Sequence, residues 1–533
     1  MNGLFRNVNG LAARPWCSPG VVHFCPHQIL PPKRAEGLSA LTHVNSSFVC
    51  VDRHYPVTNL WQLNRTVLEP HCLEGVRVNT VRCERIATGL LLLTVLCQPA
   101  RSIPAFARKY GLPCSACHEA WPKLNNFGQV FKDNGYQLGN ERDAPIFQHP
   151  AYFPVTFRIT PQWHRESNGR MSVDLTPGNP SSGLVERQVN TSGFDLSGLD
   201  LWTAGTLYNN ISFLVLPSSD ATGAFHFESA WVRFDNLFKS RWLNLKFGKH
   251  ELDTPISEKR FLALTANGGF YQLYHFTPPG DSNTFGGIGN NQLGVELMGH
   301  SQNSYTRYAV SLLSSNNGQV SLPTSRTYDV YANFNQAFEL PGLGLQRVGV
   351  YGYVGQSPTY FLTANGTAIP GAGRGNEPFY RAGAYGIWYI RKLDFSTLYM
   401  HGYDNVFLGT GTPANQPGTL PAGAHGPSWN GGFVEIHYTC SQQFILVGRY
   451  ELIRMSRQAL PVGAMLSNGT RVAGDFGNID AWVAGYRWYP IMSSRAGLAW
   501  HQEYAHVRTR GTAPISGRDV PTSSYLMGFD LDF

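Results

Sequence analysis

Cys114-Ser115-Ala116-Cys117-His118, preceded by Pro113, sets two thiols three residues apart with an imidazole directly after the second. Each thiol of such a pair can add to one vinyl group of a haem, and the adjoining histidine then lies under the iron as its proximal ligand. The same residues suit a disulfide, a thioredoxin-like redox pair or half of a zinc site. A zinc site needs two more ligands at short spacing, and none stands near. A thioredoxin-like pair needs a βαβ context, which the flanking sequence lacks. The motif therefore predicts one covalently attached haem c, with Cys114 and Cys117 as the thioethers and His118 as the ligand to the metal.

Haem of this kind is attached outside the cytoplasm, and the residues just upstream read as an export signal. Gly89-Leu90-Leu91-Leu92-Leu93-Thr94-Val95-Leu96-Cys97 is a short apolar core, with Arg77, Arg82 and Arg85 before it and Ala100-Arg101-Ser102 after it. Residues 76–102 thus form the expected signal peptide, and cleavage after Ser102 gives a mature chain from Ile103. Residues 1–75 show no periodicity, carry Cys17, Cys25, Cys50 and Cys72, and contain no methionine after Met1. They read as a start-site artefact, with translation beginning at Val76, Val78 or Val81; a genuine N-terminal extension is the alternative. A native peptide recovered from residues 1–70 would refute the artefact reading.

Composition narrows the class. Charged residues make up 14% of the 533, against about 25% in ordinary globular chains, while glycine and aromatic residues are plentiful. Of 42 basic and 35 acidic residues, 10 and 5 fall in the first 102, so the remainder is nearly neutral at +2. That balance removes the footprint a nucleic-acid partner requires. Six of nine cysteines also fall upstream, leaving Cys114, Cys117 and Cys440, the last an odd thiol. No apolar run approaches the ~20 residues of a spanning helix, so membrane insertion has to use strands.

The motif needs elements to position it. Residues 103–150 read as helix, loop, helix. Pro104 opens a turn carrying Phe106, Arg108 and Tyr110, and Gly111-Leu112-Pro113 breaks it. After His118, Pro122 suits a first helical position. Leu124, Phe127 and Phe131 make one apolar stripe, and Asn134-Gly135 supplies the stop. Under fifty residues, such a module needs a covalent staple or a borrowed surface.

From residue 151 the chain alternates between apolar and polar residues. Val155, Phe157, Ile159 and Trp163 alternate with Thr156, Arg158, Thr160, Gln162 and His164. Leu245 and Phe247 alternate with Asn244 and Lys246, and Leu293, Val295 and Leu297 with Gln292, Glu296 and Met298. Further runs near 194–208, 210–217, 225–236, 303–314, 325–338, 344–355, 378–391, 393–403, 430–440, 442–455, 476–489, 494–508 and 521–533 bring the count to about sixteen strands. Tight links at Asn209-Asn210, His300-Ser301, Arg391-Lys392 and Ile491-Ser493 alternate with long ones rich in Gly, Asn, Thr and Pro. Short turns on one side and long loops on the other predict an all-β transmembrane antiparallel barrel over 151–533, with both termini in the periplasm. The last strand places Tyr525, Met527, Phe529, Leu531 and Phe533 at every second position, like the assembly signal of bacterial outer-membrane proteins. A soluble β-sandwich would not separate short and long connections so regularly.

The segment Ala105-Phe106-Ala107-Arg108-Lys109-Tyr110-Gly111, the C-x-x-C-H motif, Pro122-Lys123-Leu124-Asn125-Asn126-Phe127-Gly128 and Asn134-Gly135-Tyr136 together resemble the start of the fused monohaem cytochrome-porins. The resemblance covers about forty residues, and the barrel matches in architecture alone. It implies an outer-membrane cytochrome in which Cys114 and Cys117 bind haem c and His118 ligates the iron. It also implies electron transfer from an extracellular donor, Fe(II) in the best-known members, to a periplasmic cytochrome or other carrier. Candidate sixth ligands are His149, Met298 and His300, and His164 and His250 read toward the outer rim. Acidic loop residues suited to a hard metal are few: Glu251, Asp253, Glu258 and Asp281. The apolar band of such a barrel is ~25 Å tall, so a haem that meets an outside donor has to sit in the lumen rather than hang in the periplasm. Two other readings stay open: a diffusion porin with a periplasmic haem relay, and a five-coordinate haem peroxidase or sensor.

Overall fold

The computed structural model describes residues 105–138 apart from 121, and residues 155–533 apart from parts of the connections within 220–221, 261–290, 315–327, 359–375, 405–425, 467–470 and 494–495. The expected signal peptide, the 1–75 preface, His149 and Asp281 lie outside the described residues.

Sixteen antiparallel strands, β3 (Val155–Thr176) to β18 (Val520–Asp532), pair in chain order and close on themselves through β18 and β3. Closure leaves no strand edge unpaired, which is what a sheet in lipid requires. Alternation decides which face is which. In β7 (Asn244–His250), Asn244 and Lys246 are buried while Phe247 is exposed. In β9 (Thr306–Ser314), Arg307 is 1% exposed and Leu312 50%. The pattern recurs around the sheet: Val350, Ile436 and Trp482 face outward, whereas Arg449, Glu451 and Arg487 are buried. Polar inside and apolar outside inverts a soluble fold and fits a cylinder surrounded by lipid.

The connections separate as the sequence predicts. Links from even to odd strands are short, as at 209–210, 391–392 and 442–443, while β7 and β8 (Gln292–His300) are joined by residues 251–291. One odd-to-even link differs from expectation. The sequence reads a long loop between 164 and 194, but β3 and β4 (Asn179–Tyr208) stay paired until a two-residue turn. Their distal halves pair only with each other: β18 follows β3 as far as Asn168, and β5 (Ile211–Ser219) follows β4 only from Asp200. Both faces of this ribbon meet solvent, so its sequence carries no apolar alternation to announce it; Phe194 is 90% exposed.

The lumen is occupied. In the 251–291 connection, Leu252, Ile256, Leu273, Tyr274 and Phe276 are buried in one cluster with the wall residues Tyr331, Tyr353, Trp429 and Phe433. Glu435 and Glu451 accept from the backbone N–H groups of Leu262 and Leu273, which holds the connection against the wall. The N-terminal segment packs at the short-turn end. It comprises α1 (Ala105–Tyr110), a turn of 3-10 helix (Cys114–Ala116), a small hairpin of β1 (His118–Ala120) and β2 (Lys123–Leu124), and α2 (Asn126–Asp133). Lys123 bonds Asp394 at the base of β13 (Leu393–Tyr403), and Arg233 donates to the Lys132 carbonyl at 3.0 Å. Arg307 takes Asp133 with two hydrogen bonds of 2.8 and 2.9 Å.

Two local expectations change. Pro122 lies in the β1–β2 turn rather than opening a helix, because Asn125 caps α2 instead, accepting from Gly128 N at 2.9 Å. Phe127 is then 45% exposed, and the buried face of α2 is Gly128, Gln129, Phe131 and Asp133.

Candidate functional site

The C-x-x-C-H turn is held by its own backbone. Ala116 N donates to Pro113 O and Cys117 N to Cys114 O, at 3.0 and 3.1 Å. Asn125 then ties this turn to α2: its side chain donates to Ala116 O at 2.9 Å, and its backbone N–H to Cys117 O at 3.0 Å. Gly128 sits so close beneath that a Cβ there would fall on the Cys117 carbonyl oxygen. Two sulfurs and an imidazole are thus fixed on one rigid surface.

That surface forms one side of a cavity. The N-terminal segment contributes Phe106, Tyr110, Leu112, Cys114, Cys117, His118, Leu124, Phe131 and Tyr136. The barrel wall contributes Trp202, Ala204, Leu214, Leu216 and Trp231. The space between atoms is ≈ 1760 Å³, part of it continuous with solvent. Phe131 and Tyr136 pack on Phe106, and Tyr136 stacks on Trp231 with ring centroids 6.2 Å apart, so segment and wall share one aromatic cluster. Lys132, Lys246, Arg260, Glu251 and Asp253 add charge to the lining.

The protonation of the motif residues follows from this setting. Burial pushes the Cys114 thiol up to about 11 and raises Cys117 as well, so both are neutral thiols at pH 7. Burial lowers His118 to about 4, with partial offset from the Pro122 and Lys123 carbonyls, so the imidazole is neutral at pH 7. Its Nδ1–H donates to Pro122 O at 3.3 Å, which fixes the ring and leaves the Nε2 lone pair free to ligate. An apolar, aromatic slot with two neutral thiols, an oriented imidazole and cations along the lining fits a covalently bound haem.

Of the other described sequence candidates, Glu251 and Asp253 line this cavity and Met298, His300, His164, His250 and Glu258 do not. Met298 lies against Arg233, 3.8 Å from its Nη1, and His300 Nδ1 is 2.9 Å from Ser301 O; neither lines the cavity. His164 bonds Ser524 at 2.8 Å on the sheet, and His250 is buried 3.7 Å from Glu296. Glu251 and Asp253 turn inward rather than into an outer loop and are taken by Arg260 and Arg307, while Glu258 pairs with His275 at 2.8 Å. No group of three or more metal-ligating side chains gathers among the described residues. Cys440 sits near the short-turn end of β14 (Ser428–Ser441), its Sγ 3.9 Å from Tyr438 O. Sequence reasoning missed Trp231, Lys132 and Arg260. Lys246 was legible as an inward position, but Arg260 reaches the cavity only through the inward fold of its connection.

A closed cylinder of sixteen strands, apolar outside, with short turns at one end and long connections at the other, is the architecture of outer-membrane porins. The barrel is porin-like. No protein-family model and no curated protein matches the chain. Among solved structures it is similar to a loop-deletion mutant of OmpT, an outer membrane protein of Vibrio cholerae, with 9% identity over 72% of this chain and all of that one, at a TM-score of 0.38. It is also similar to the outer membrane channel DcaP of Acinetobacter baumannii, with 10% identity over 72% and 99% of the two chains and a TM-score of 0.41. Pseudomonas putida OprB gives 9% identity over 71% and 94%, at 0.38. At these identities the likeness is one of fold alone.

Proposed function

We propose that this chain transfers electrons across the outer membrane through one c-type haem lodged in its porin-like barrel, from an extracellular donor to a periplasmic cytochrome or other carrier. Fe(II) is the candidate substrate on the outer side. The observation that carries this reading is the cavity in which Cys114, Cys117 and His118 face the aromatic wall of the barrel. The porin-like fold supports an outer-membrane location with lipid around the apolar exterior.

When bound, a haem supplies a one-electron couple tuned by its ligands, hydrogen bonds and burial. The chain's own residues do the rest. Cys114 and Cys117 would tether the group and His118 would offer Nε2 to its iron, while the Pro122 carbonyl holds the imidazole in that tautomer. Phe131, Tyr136 and Trp231 exclude water from one side.

A second reading, a diffusion porin with a periplasmic haem relay, draws on the porin-like architecture; DcaP, with the same fold, is an outer membrane channel. In this reading the buried Leu252, Ile256, Tyr274 and Phe276 of the 251–291 connection, which pack on the inner wall, narrow the channel rather than close it. The third, a haem peroxidase or sensor, would bind carbon monoxide readily once reduced. Purified protein in vesicles separates all three. Electron transfer across the wall predicts that a membrane-impermeant reductant such as Fe(II), added outside, raises the haem α-band. Bleaching-free silence with Fe(II), reduction only by a permeant reagent and high single-channel conductance would establish the channel instead.

A further inference from the structure

Two cations on the cavity lining share one carboxylate. Arg260 Nη2 lies 3.2 Å from Glu251 Oε2, and Lys132 Nζ lies 3.8 Å from the same oxygen. The other Glu251 oxygen accepts from the Ser257 hydroxyl. Lys246, the third cation on the lining, is committed to Glu296, and Asp253 to Arg307. Arg307 bonds both Asp133 and Asp253, so the four cations Lys132, Lys246, Arg260 and Arg307 are balanced by Glu251, Glu296, Asp133 and Asp253, and what the lining leaves open is a donor rather than a charge. Arg260 Nη1 is buried and has no hydrogen-bond partner among the described residues, on a residue only 7% exposed. An orphaned guanidinium N–H of this kind is costly unless something fills its place.

We propose that Lys132 and Arg260 form a carboxylate-binding slot that holds a propionate of the bound haem. The inference rests on the haem reading above and assigns the end of the cavity that the thioether motif leaves unassigned. A haem carries its two propionates on pyrroles other than the two that bear the vinyl groups. A site that tethers one edge through sulfur therefore needs cations at another. Helix α2 supplies that separation: Gly128 packs on the Cys117 carbonyl, and Lys132 follows four residues on, about 6 Å further along the axis. A planar guanidinium suits a carboxylate in bidentate fashion, and a buried carboxylate gains most from such a partner. Burial, and after it the neighbouring Arg260 charge, lower the Lys132 ammonium to about 8, with Glu251 and Asp253 opposing the shift.

The test uses the full-length holoprotein and the variants R260Q, K132Q and R260K. Pyridine haemochrome measures covalent haem, spectroelectrochemistry the midpoint potential, and resonance Raman the propionate-bending band. R260Q is expected to keep its covalent haem and shift the propionate band. It should also raise the oxidised-to-reduced ratio at the wild-type midpoint about tenfold, a fall of about 59 mV for a one-electron couple. K132Q should move both readouts in the same direction by less, and R260K should restore them. A band and potential unchanged in both R260Q and K132Q, with haem attached, would overturn the slot while leaving the haem reading intact. Wild-type protein without covalent haem would overturn both. If R260Q does not accumulate, K132Q decides on the same two readouts.

Discussion

The two sides of the lumen face the same difficulty, buried charge in a narrow space, and meet it differently. On the side of β13, β14 and β15 (Phe444–Arg457), the charges form a continuous chain. Lys123 bonds Asp394, His437 bridges Asp394 and Glu435 at 2.8 Å each, and Arg449 joins Glu435 to Glu451 at 3.1 and 3.0 Å. Backbone N–H groups of the 251–291 connection cap its carboxylates. On the side of β4 to β7, the wall presents Trp202, Leu214, Leu216 and Trp231 across an open cavity, and Arg260 keeps an unmatched donor. The charges on the first side are paired within the protein and hold the segment in place. The other is left incomplete, which is the condition under which a further molecule gains by entering.

Breaking the open side at the motif should have the largest effect. Replacing Cys114 and Cys117 by Ser removes both proposed sites of thioether attachment, and haem staining of a denaturing gel is expected to fall to background. On the filled side, Glu435→Ala leaves Arg449 and His437 short of a buried partner. A loss of about 3–5 kcal/mol is expected, seen as easier unfolding of the barrel in detergent. Gly128→Ala sits between the two regimes. Its methyl group would push α2 off the Cys117 carbonyl, costing about 1–3 kcal/mol and lowering the fraction of chains that carry covalent haem.

Acid sharpens the comparison by loosening one joint. Burial would raise the Asp133 carboxyl, but the Arg307 guanidinium more than reverses this and leaves it at about 2. Because the folded value is depressed, the contribution is complete above the ordinary carboxylate value near 4. It is lost as the pH falls through about 2. Protection of the α2 amides, as observed exchange relative to the intrinsic rate at each pH, is therefore expected to be high at pH 5 and to fall between pH 4 and pH 2; unchanged protection across that range would reject this role for Asp133. The smallest effect belongs to Arg508→Gln at the rim. That pair with Asp519 is half exposed, so a change of about 0–1 kcal/mol is expected by the same unfolding measurement.

How much of this was legible in the sequence depends on which surfaces each residue meets. The sixteen strands were readable because lipid and lumen impose opposite demands on successive positions, as at Lys246 and Phe247. The turn at Asn209-Asn210 and the stop at Asn134-Gly135 announced themselves through residues that tolerate positive φ: Asn209 lies at 36° and Gly135 at 78°. The distal ribbon of β3 and β4 was not readable, since solvent on both faces imposes no pattern. Nor was the cavity's charged lining, because Arg260 and Lys132 meet only when a connection of forty-one residues turns inward. Pro122 misled for a local reason: Asn125, three residues later, made the better cap.

The ribbon of β3 and β4 has a practical consequence. Strands of 22 and 30 residues extend about 70 Å or more at ~3.3 Å per residue, while crossing a bilayer takes only ~9–11 residues. Eight residues of β3 lie beyond its last pairing with β18, so the two-stranded arm extends about 26 Å past that point, tied to the connection that precedes β18, where Ile515 N and Ser516 N donate to Glu186. A protease offered to whole cells would meet this arm first and could clip it while the cylinder beneath stayed whole. A tag inserted at Pro177-Gly178 would likewise report which way the molecule faces without disturbing what it encloses.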